Sequence, residues 1–436
     1  MPSIEFSCDD PLLEAGFAWA KAQALAYVRR DGPIGPWYEA ALPGRDAFCI
    51  RDAAHQRAGA AMLGLGDCTY NMFRRFAGSM HPDRDDCMYW EIDKTGGPAP
   101  VDYTNDRDFW YNLPASFDLL QACRQEYLWS GDERYIEDKS FLRFYETTRT
   151  RYIERWDRDG DGIPDHRPRD GRRGIASYNE AGISPRVSGD MLGAMFAAYR
   201  ASGQEERALA LRERYLGEWY DAKRGRFYGA KDRRGRFVRK YCHEGHFLPV
   251  YFGLLDGTTH LRAALEEIRG HGPANVEGKT YFPAIYFGRG MEEEGLRELR
   301  ELCSPKLRRR EYPEVSFAAV SSIVQQYMGV TVIAPKVLRT CAPLDTQAQV
   351  RQLPVFGERV TLRQDGQSAS TLTPEEGAAF TWRACFMGGH AQLYVDGRAR
   401  AARMFIDAAG RTGSYVDVEM DGRAVTVSAG KGRASL

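Results

Sequence analysis

The chain has 436 residues, more than one small core can use and enough for one large domain with a smaller companion. Apolar residues make up 43% and charged residues 28%, the balance of a soluble globular protein. Lys plus Arg and Asp plus Glu are equal at 60 each, so no net field holds a polyanion, and no nucleic-acid partner is expected.

The first residues, Met1 to Asp10, have neither a basic start nor an apolar stretch, so they do not form a signal peptide as they stand. Apolar spacing at three and four positions then predicts a series of helices. Leu12 to Val28, Phe48 to Leu65, Leu113 to Trp129 and Lys139 to Trp156 come first. Met191 to Ala201 with Glu205 to Trp219, and Phe247 to Leu255 with His260 to Ile268, read as two further pairs. Ile285 to Leu302 and Val315 to Met328 close the series. Tight turns alternate with long loops, as in helical hairpins.

Some of these helices are rich in small residues and apolar all round: Ala53 to Gly64, Leu192 to Ala201, Phe247 to Leu255 and Phe317 to Met328. Such helices are buried on every side. Those between them carry one charged face, as in Glu205-Glu206-Arg207 or Glu292-Glu293-Glu294. An inner ring of buried helices inside an outer amphipathic ring explains the alternation. The expected fold is mainly α, an (α/α)6 toroid over residues 1–330.

After Met328 the texture becomes β-branched and alternating, with Asp-Gly hairpin steps at 365–366, 396–397 and 421–422. Residues 331–436 are expected to form a small C-terminal antiparallel β domain. No window approaches 18 consecutive apolar residues, the run a membrane span needs. The nine Cys are scattered without CxxC pairs, which suits reduced thiols and a cytoplasmic location better than disulfides or a zinc site.

In such a toroid the inner helix N-termini converge on one end of the axis, each with free N–H groups and partial positive charge. The residues before those helices are the expected pocket lining. They include Arg51-Asp52 with His55, the Asn105 to Tyr111 stretch with Asp106 and Trp110, and Ser177-Tyr178-Asn179-Glu180. His243-Glu244-Gly245-His246, Tyr281-Phe282 and Glu311-Tyr312-Pro313-Glu314 complete the set. Each acid taken singly is more often a helix cap. Together, carboxylates, amides and aromatic rings at shared junctions fit a sugar, whose hydroxyls need polar partners and whose C–H faces pack on rings. Aromatic residues form 12% of the chain, with 8 Trp and 23 Tyr.

Trp156 to Asp165 has the acidic spacing of a calcium loop at 157, 159 and 161, but Pro168 stands where the bidentate Glu belongs, so a solvated turn is preferred. Cys49 and His55 are six apart on one helix and do not face each other as a nucleophilic pair would. His243, Glu244 and His246 lack a distant ligand set for a metal. No metal and no cofactor is expected.

These residues resemble the six-hairpin glycosidases, the toroidal glycoside hydrolases that include α-L-rhamnosidases, glucoamylases and trehalases. The resemblance rests on Cys49-Ile-Arg-Asp-Ala-Ala-His, on Asp159-Gly-Asp-Gly-Ile-Pro-Asp with Tyr178-Asn-Glu-Ala-Gly-Ile-Ser-Pro, on Glu311-Tyr-Pro-Glu, and on Met328-Gly-Val-Thr-Val-Ile-Ala-Pro. It implies an exo-acting glycosidase with Glu180 as general acid and Glu314 as general base. Where relatives present Asp, this chain has Asn179 or Ile183, which moves the acid's role to Glu180. Hairpins three and six face each other across a six-fold ring, leaving room for water and implying inversion. Arg51, Asp52, His55, Asp106, Trp110, Glu244 and His246 would bind the sugar. Glu244 is the alternative base and Asp52 the alternative acid. A lyase using Tyr178 or His243 on a uronate, and a non-catalytic sugar-binding toroid, are the rival readings. The partner implied is an oligosaccharide or glycoside.

Overall fold

The computed structural model describes residues 3–179, 184–375 and 377–430. Six inner helices carry the frame: α2 (Ile50–Met62), α4 (Pro114–Ser130), α6 (Gly189–Ala201), α8 (Glu244–Tyr251), α10 (Phe282–Phe287) and α12 (Pro313–Ser321). Six outer partners alternate with them: α1 (Pro11–Ala26), α3 (Gly66–Ser79), α5 (Lys139–Arg149), α7 (Glu205–Glu218), α9 (Leu261–His271) and α11 (Glu292–Cys303). Each inner helix packs on the next, from α2 through α4, α6 and α8 to α10. The chain continuing from α12 packs on α10, and α12 returns to α2, so the ring closes. The molecule is a helical toroid with a β region.

The burial follows the composition. Every residue of α6 from Gly189 to Tyr199 is buried, whereas α9 and α11 bury one face each. Small residues let inner helices touch backbone to backbone. A methyl group built on Gly59 of α2 would lie 2.2 Å from the Phe317 carbonyl oxygen of α12.

Two expected helices are broken. Ile285 to Leu302 divides at Gly288-Arg289-Gly290, where Gly290 takes a φ of +72°. Lys139 to Trp156 divides at Thr150, whose φ of −126° and ψ of −95° leave the helical region. The last inner helix also changes character, running on from α12 as a π-helical turn over Ser322–Tyr327. Pro114, Pro283 and Pro313 stand in first turns, where a missing N–H costs nothing, whereas Pro249 lies inside α8.

From Val330 onward the described chain is strand and turn, with no helix. A five-stranded sheet runs β4 (Val330–Ala334), β5 (Val337–Thr340), β9 (Phe380–Met387), β13 (Thr412–Met420) and β12 (Arg403–Ile406). The β5–β9 pair is parallel, which departs from the all-antiparallel expectation. A crossover through three strands separates β5 from β9, so no hairpin forces them antiparallel. Those strands are β6 (Gln347–Val355), β7 (Glu358–Asp365) and β8 (Ala369–Pro374). The second sheet runs β1 (Glu5–Cys8), β6, β7, β8, β14 (Val425–Ser428), β10 (Gln392–Val395) and β11 (Arg398–Ala401). The N-terminal strand thus forms the edge of the C-terminal sheet, pairing Phe6 with Val350. One apolar core joins both regions, with Phe17 of α1 and Ile323 of the π-helical turn beside Val350, Leu362 and Trp382.

Candidate active site

The first turns of α2 and α12 lie side by side and deliver Asp52 and Glu314 to one place. A long-range strand pair fixes the entry to α2. Strand β2 (Ala47–Cys49) pairs with β3 (Glu91–Asp93), with Cys49 opposite Glu91, and the Ile50 N–H donates to the Trp90 carbonyl at 2.9 Å. The Gln56 amide locks the two inner helices together. Its oxygen accepts from the Glu314 N–H at 3.0 Å and its nitrogen donates to the Glu39 carbonyl at 3.2 Å.

Asp52 is 8% exposed and Glu314 4%. Their carboxyls share a hydrogen bond, which two ionised groups cannot form, so the pair holds a proton. Burial, and then the neighbouring Asp52 charge, hold Glu314 well above the usual carboxylate range. Burial also raises Asp52, opposed by the Arg51 guanidinium, whose Nε donates to Asp52 Oδ1 at 3.1 Å. The Oε1 of Glu314 is buried without a hydrogen-bond partner among the described residues.

This pair sits between two lobes of open space. The first, of about 270 Å³, is lined by Arg45, Trp90, Glu91, Asp102, Trp110 and Tyr312, among others. The second, of about 340 Å³, is lined by Tyr178, Asn179, His243, Glu244, Phe247 and Tyr281, among others. Arg51, Glu277 and Glu314 line both. Glu277 comes from the short helical turn Val276–Lys279, which the Asn275 side chain caps by accepting from the Gly278 N–H at 2.7 Å.

The loop before α6 is tied down by Asp190 in that helix's first turn. Asp190 accepts from the Tyr178 N–H at 2.5 Å and from the Ser177 hydroxyl at 3.2 Å. The Tyr178 hydroxyl donates to Asp118 at 3.1 Å, and the Arg51 guanidinium lies 5.8 Å from the Tyr178 ring. Burial raises Asp118 to about 6. Glu180, the expected acid two residues further on, lies outside the described residues.

The other expected site residues divide. Arg51, Asp52, Trp110, Glu244 and Glu314 line the lobes. His55 does not. It lies one helical turn, about 6 Å, deeper along α2 than Arg51, and lines a separate cavity with Arg57, Tyr251 and Gln325. There its Nε2 meets the Thr280 hydroxyl at 2.8 Å and its ring stacks on Tyr281 at 3.8 Å. Burial lowers its pKa to about 3, so it is neutral. His246 is likewise neutral and absent from both linings. Its Nδ1 accepts from the Cys242 N–H at 3.0 Å, and it stacks on Tyr241. Asp106 lies at a hairpin tip between Tyr103–Asn105 and Asp108–Phe109, where Arg84 at 2.8 Å and the Tyr103 hydroxyl at 2.7 Å engage it. Asp102, four residues earlier, is the acid of this segment that reaches the first lobe.

Arg45, Trp90, Glu91, Asp102 and Glu277 were not foreseen. Glu277 stands four residues before Tyr281, itself an expected lining residue, so a wider window before the fifth inner helix would have included it. Glu91 begins a strand, directly after Trp90, that only pairing with β2 brings to the site. In the 157–161 loop, oxygens of Asp157, Asp159 and Asp161 lie within 4.8 Å of one another. Each already has partners: backbone N–H groups for Asp157, Arg186 for Asp159 and Arg214 for Asp161.

No protein-family profile and no curated relative matches the chain. Solved structures do. A GH78 family rhamnosidase of Bacillus sp. GL1 superposes with a TM-score of 0.58 at 15% identity, over 85% of this chain and 41% of that one. The fold is six-hairpin glycosidase-like. A putative kojibiose phosphorylase from human microbiome gives a TM-score of 0.59 at 9% identity, over 96% of this chain and 67% of that one. An α-L-rhamnosidase from Dictyoglomus thermophilum gives 0.56 at 13% identity, over 98% and 50%. The chain thus spans between about two-fifths and two-thirds of the length of these structures. No described helix is long and apolar enough to cross a membrane.

Proposed function

We propose that the chain is an exo-acting, inverting glycoside hydrolase whose reaction centre is the Asp52–Glu314 pair. The observation that carries this reading is a buried, proton-sharing carboxyl pair at the convergence of two inner helix N-termini, open to a cavity walled by Trp90, Trp110, Tyr178, Tyr281 and Tyr312. Hydrolysis needs one carboxyl group to protonate the leaving oxygen and one carboxylate to take a proton from water. With the shared proton moved to Asp52, ionised Glu314 takes the water proton. Asp52 and Arg51 hold Glu314 in place and set its charge. Glu180, following the cavity-lining Asn179, gives its proton to the glycosidic oxygen as the C–O bond breaks. Water enters at the opposite face of the anomeric carbon, so configuration inverts. Trp110, Arg51 and Glu244 grip the sugar.

Charge favours this over a uronate lyase. The first lobe presents five carboxyl groups, of Asp52, Glu91, Asp102, Glu277 and Glu314, which outnumber the guanidinium groups of Arg45 and Arg51 even with one proton held by each of the two carboxyl pairs. That balance repels a carboxylate-bearing sugar and accepts a neutral one. The nine cysteines are all free, which suits a reducing compartment and the cytoplasmic reading. The test is a screen of aryl glycosides and disaccharides of neutral sugars, with the first-formed anomer read by NMR. Inverted product with Glu180→Gln inactive supports the assignment. Retained configuration, or an unsaturated product absorbing in the ultraviolet, refutes it.

A further inference from the structure

A second carboxyl pair faces the same cavity and takes no part in the reaction above. Glu91 projects from β3, opposite Cys49, which stands three residues before Asp52. It is 3% exposed and lines the first lobe. The Arg45 Nη1 donates to Glu91 Oε2 at 2.6 Å and lies 3.6 Å from Asp102 Oδ2. Glu91 Oε1 is buried without a hydrogen-bond partner among the described residues, and the Glu91 and Asp102 carboxyls are in hydrogen-bond contact. Two carboxylates cannot make that contact, so one proton belongs to it. One proton, one remaining negative charge and the Arg45 cation then balance. Arg45 and Asp102 face Glu91 directly, with Cys49 of β2 and Asp52 of α2 as the further ionisable neighbours.

We propose that Glu91 and Asp102, held by Arg45, form a one-proton carboxyl pair that binds a vicinal diol of a neutral saccharide in the first lobe. A diol offers two hydroxyls side by side, each both donor and acceptor. On binding, the diol replaces the carboxyl–carboxyl hydrogen bond, so the protonated carboxyl donates to one hydroxyl and the carboxylate accepts from the other, and the guanidinium adds a second donor. Trp90 and Trp110, which line the same lobe, supply the flat apolar faces for the C–H side of the ring. The proton is retained at neutral pH because burial, and then Asp102, push Glu91 up to about 8. The proposal rests on the saccharide reading of the cavity but not on the Asp52–Glu314 chemistry.

The test uses the full chain with D-glucose, D-mannose and D-galactose as probes, binding being read by tryptophan fluorescence from pH 5 to 10. The Glu91 carboxyl is followed in parallel by carbon-13 NMR in the free protein. Glu91 is expected to stay protonated past pH 7, and affinity for at least one sugar is expected to fall about ten-fold per pH unit above about 8. Glu91→Gln keeps a donor and an acceptor but cannot ionise, so it should bind with that alkaline limb abolished. Asp102→Asn should lower the Glu91 titration. An ionised Glu91 at pH 7, an alkaline limb that survives in Glu91→Gln, or no binding of any of the three sugars overturns the proposal. Turnover of a glycoside with Glu91 ionised would sink the diol site and leave the hydrolase standing. Sugar binding with the expected limb but no turnover would do the reverse.

Discussion

Glu314→Gln is the substitution with the most sharply defined outcome. The amide has the same shape, and the backbone N–H of residue 314 keeps its bond to Gln56, so the α2–α12 junction is undisturbed. The side chain still meets Asp52, now as an amide against a carboxylate, so the fold should tolerate the change to within about 1 kcal/mol. What disappears is the group that takes the water proton. A positioned general base is worth about 10²–10⁴ in rate, or about 3–5 kcal/mol of barrier. kcat on the best substrate from the glycoside screen should fall by that factor while KM stays within a few-fold. The partner variant separates base from bystander. Because the Asp52 charge and hydrogen bond both hold Glu314 up, Asp52→Asn should let Glu314 ionise at lower pH. The acid limb of kcat/KM, which rises with pH as the base loses its proton, should then move to lower pH. A Glu314→Gln enzyme within ten-fold of wild-type kcat, its circular dichroism unchanged, would refute the assignment. So would an acid limb that does not move in Asp52→Asn.

Asp118 tests the electrostatics of the toroid axis through stability. Its carboxyl is raised by burial from 3.8 to about 6, so unfolding favours proton release between those values. The native state therefore loses stability as pH rises from about 4 to 6, by at most about 3 kcal/mol, and no further above that. Asp118→Asn, which can still accept from the Tyr178 hydroxyl, should melt higher than wild type above pH 6 and alike below pH 4. A melting difference independent of pH would contradict this. Gly59→Ala places a methyl 2.2 Å from the Phe317 carbonyl oxygen and should cost about 1–3 kcal/mol or more in urea unfolding. Wild-type stability there would mean that α2 and α12 separate freely.

The helical toroid was legible because its signal is local. Buried helices are apolar all round and their partners are not, and that alternation survives in a one-dimensional reading. The rule that inner helix N-termini face one end is enough to bring Arg51, Asp52, Trp110, Glu244 and Glu314 to the cavity wall. The same rule failed one turn further along: His55 shares a helix face with Arg51, yet the 1.5 Å rise per residue carries it to a different cavity. It also failed at Asp106, because a hairpin tip turned that acid toward Arg84 while Asp102 reached the lobe.

The sequence by itself determined the inner and outer ring, the change to strand after Met328, and the acids that open α2 and α12, since periodicity and capping act over neighbouring residues. Only tertiary structure decided which acids meet. Asp52 and Glu314 are 262 positions apart, and Glu91 joins them through a strand pairing that no local pattern announces. Their proton sharing follows from burial and proximity together, and neither is a property of the chain until it has closed on itself.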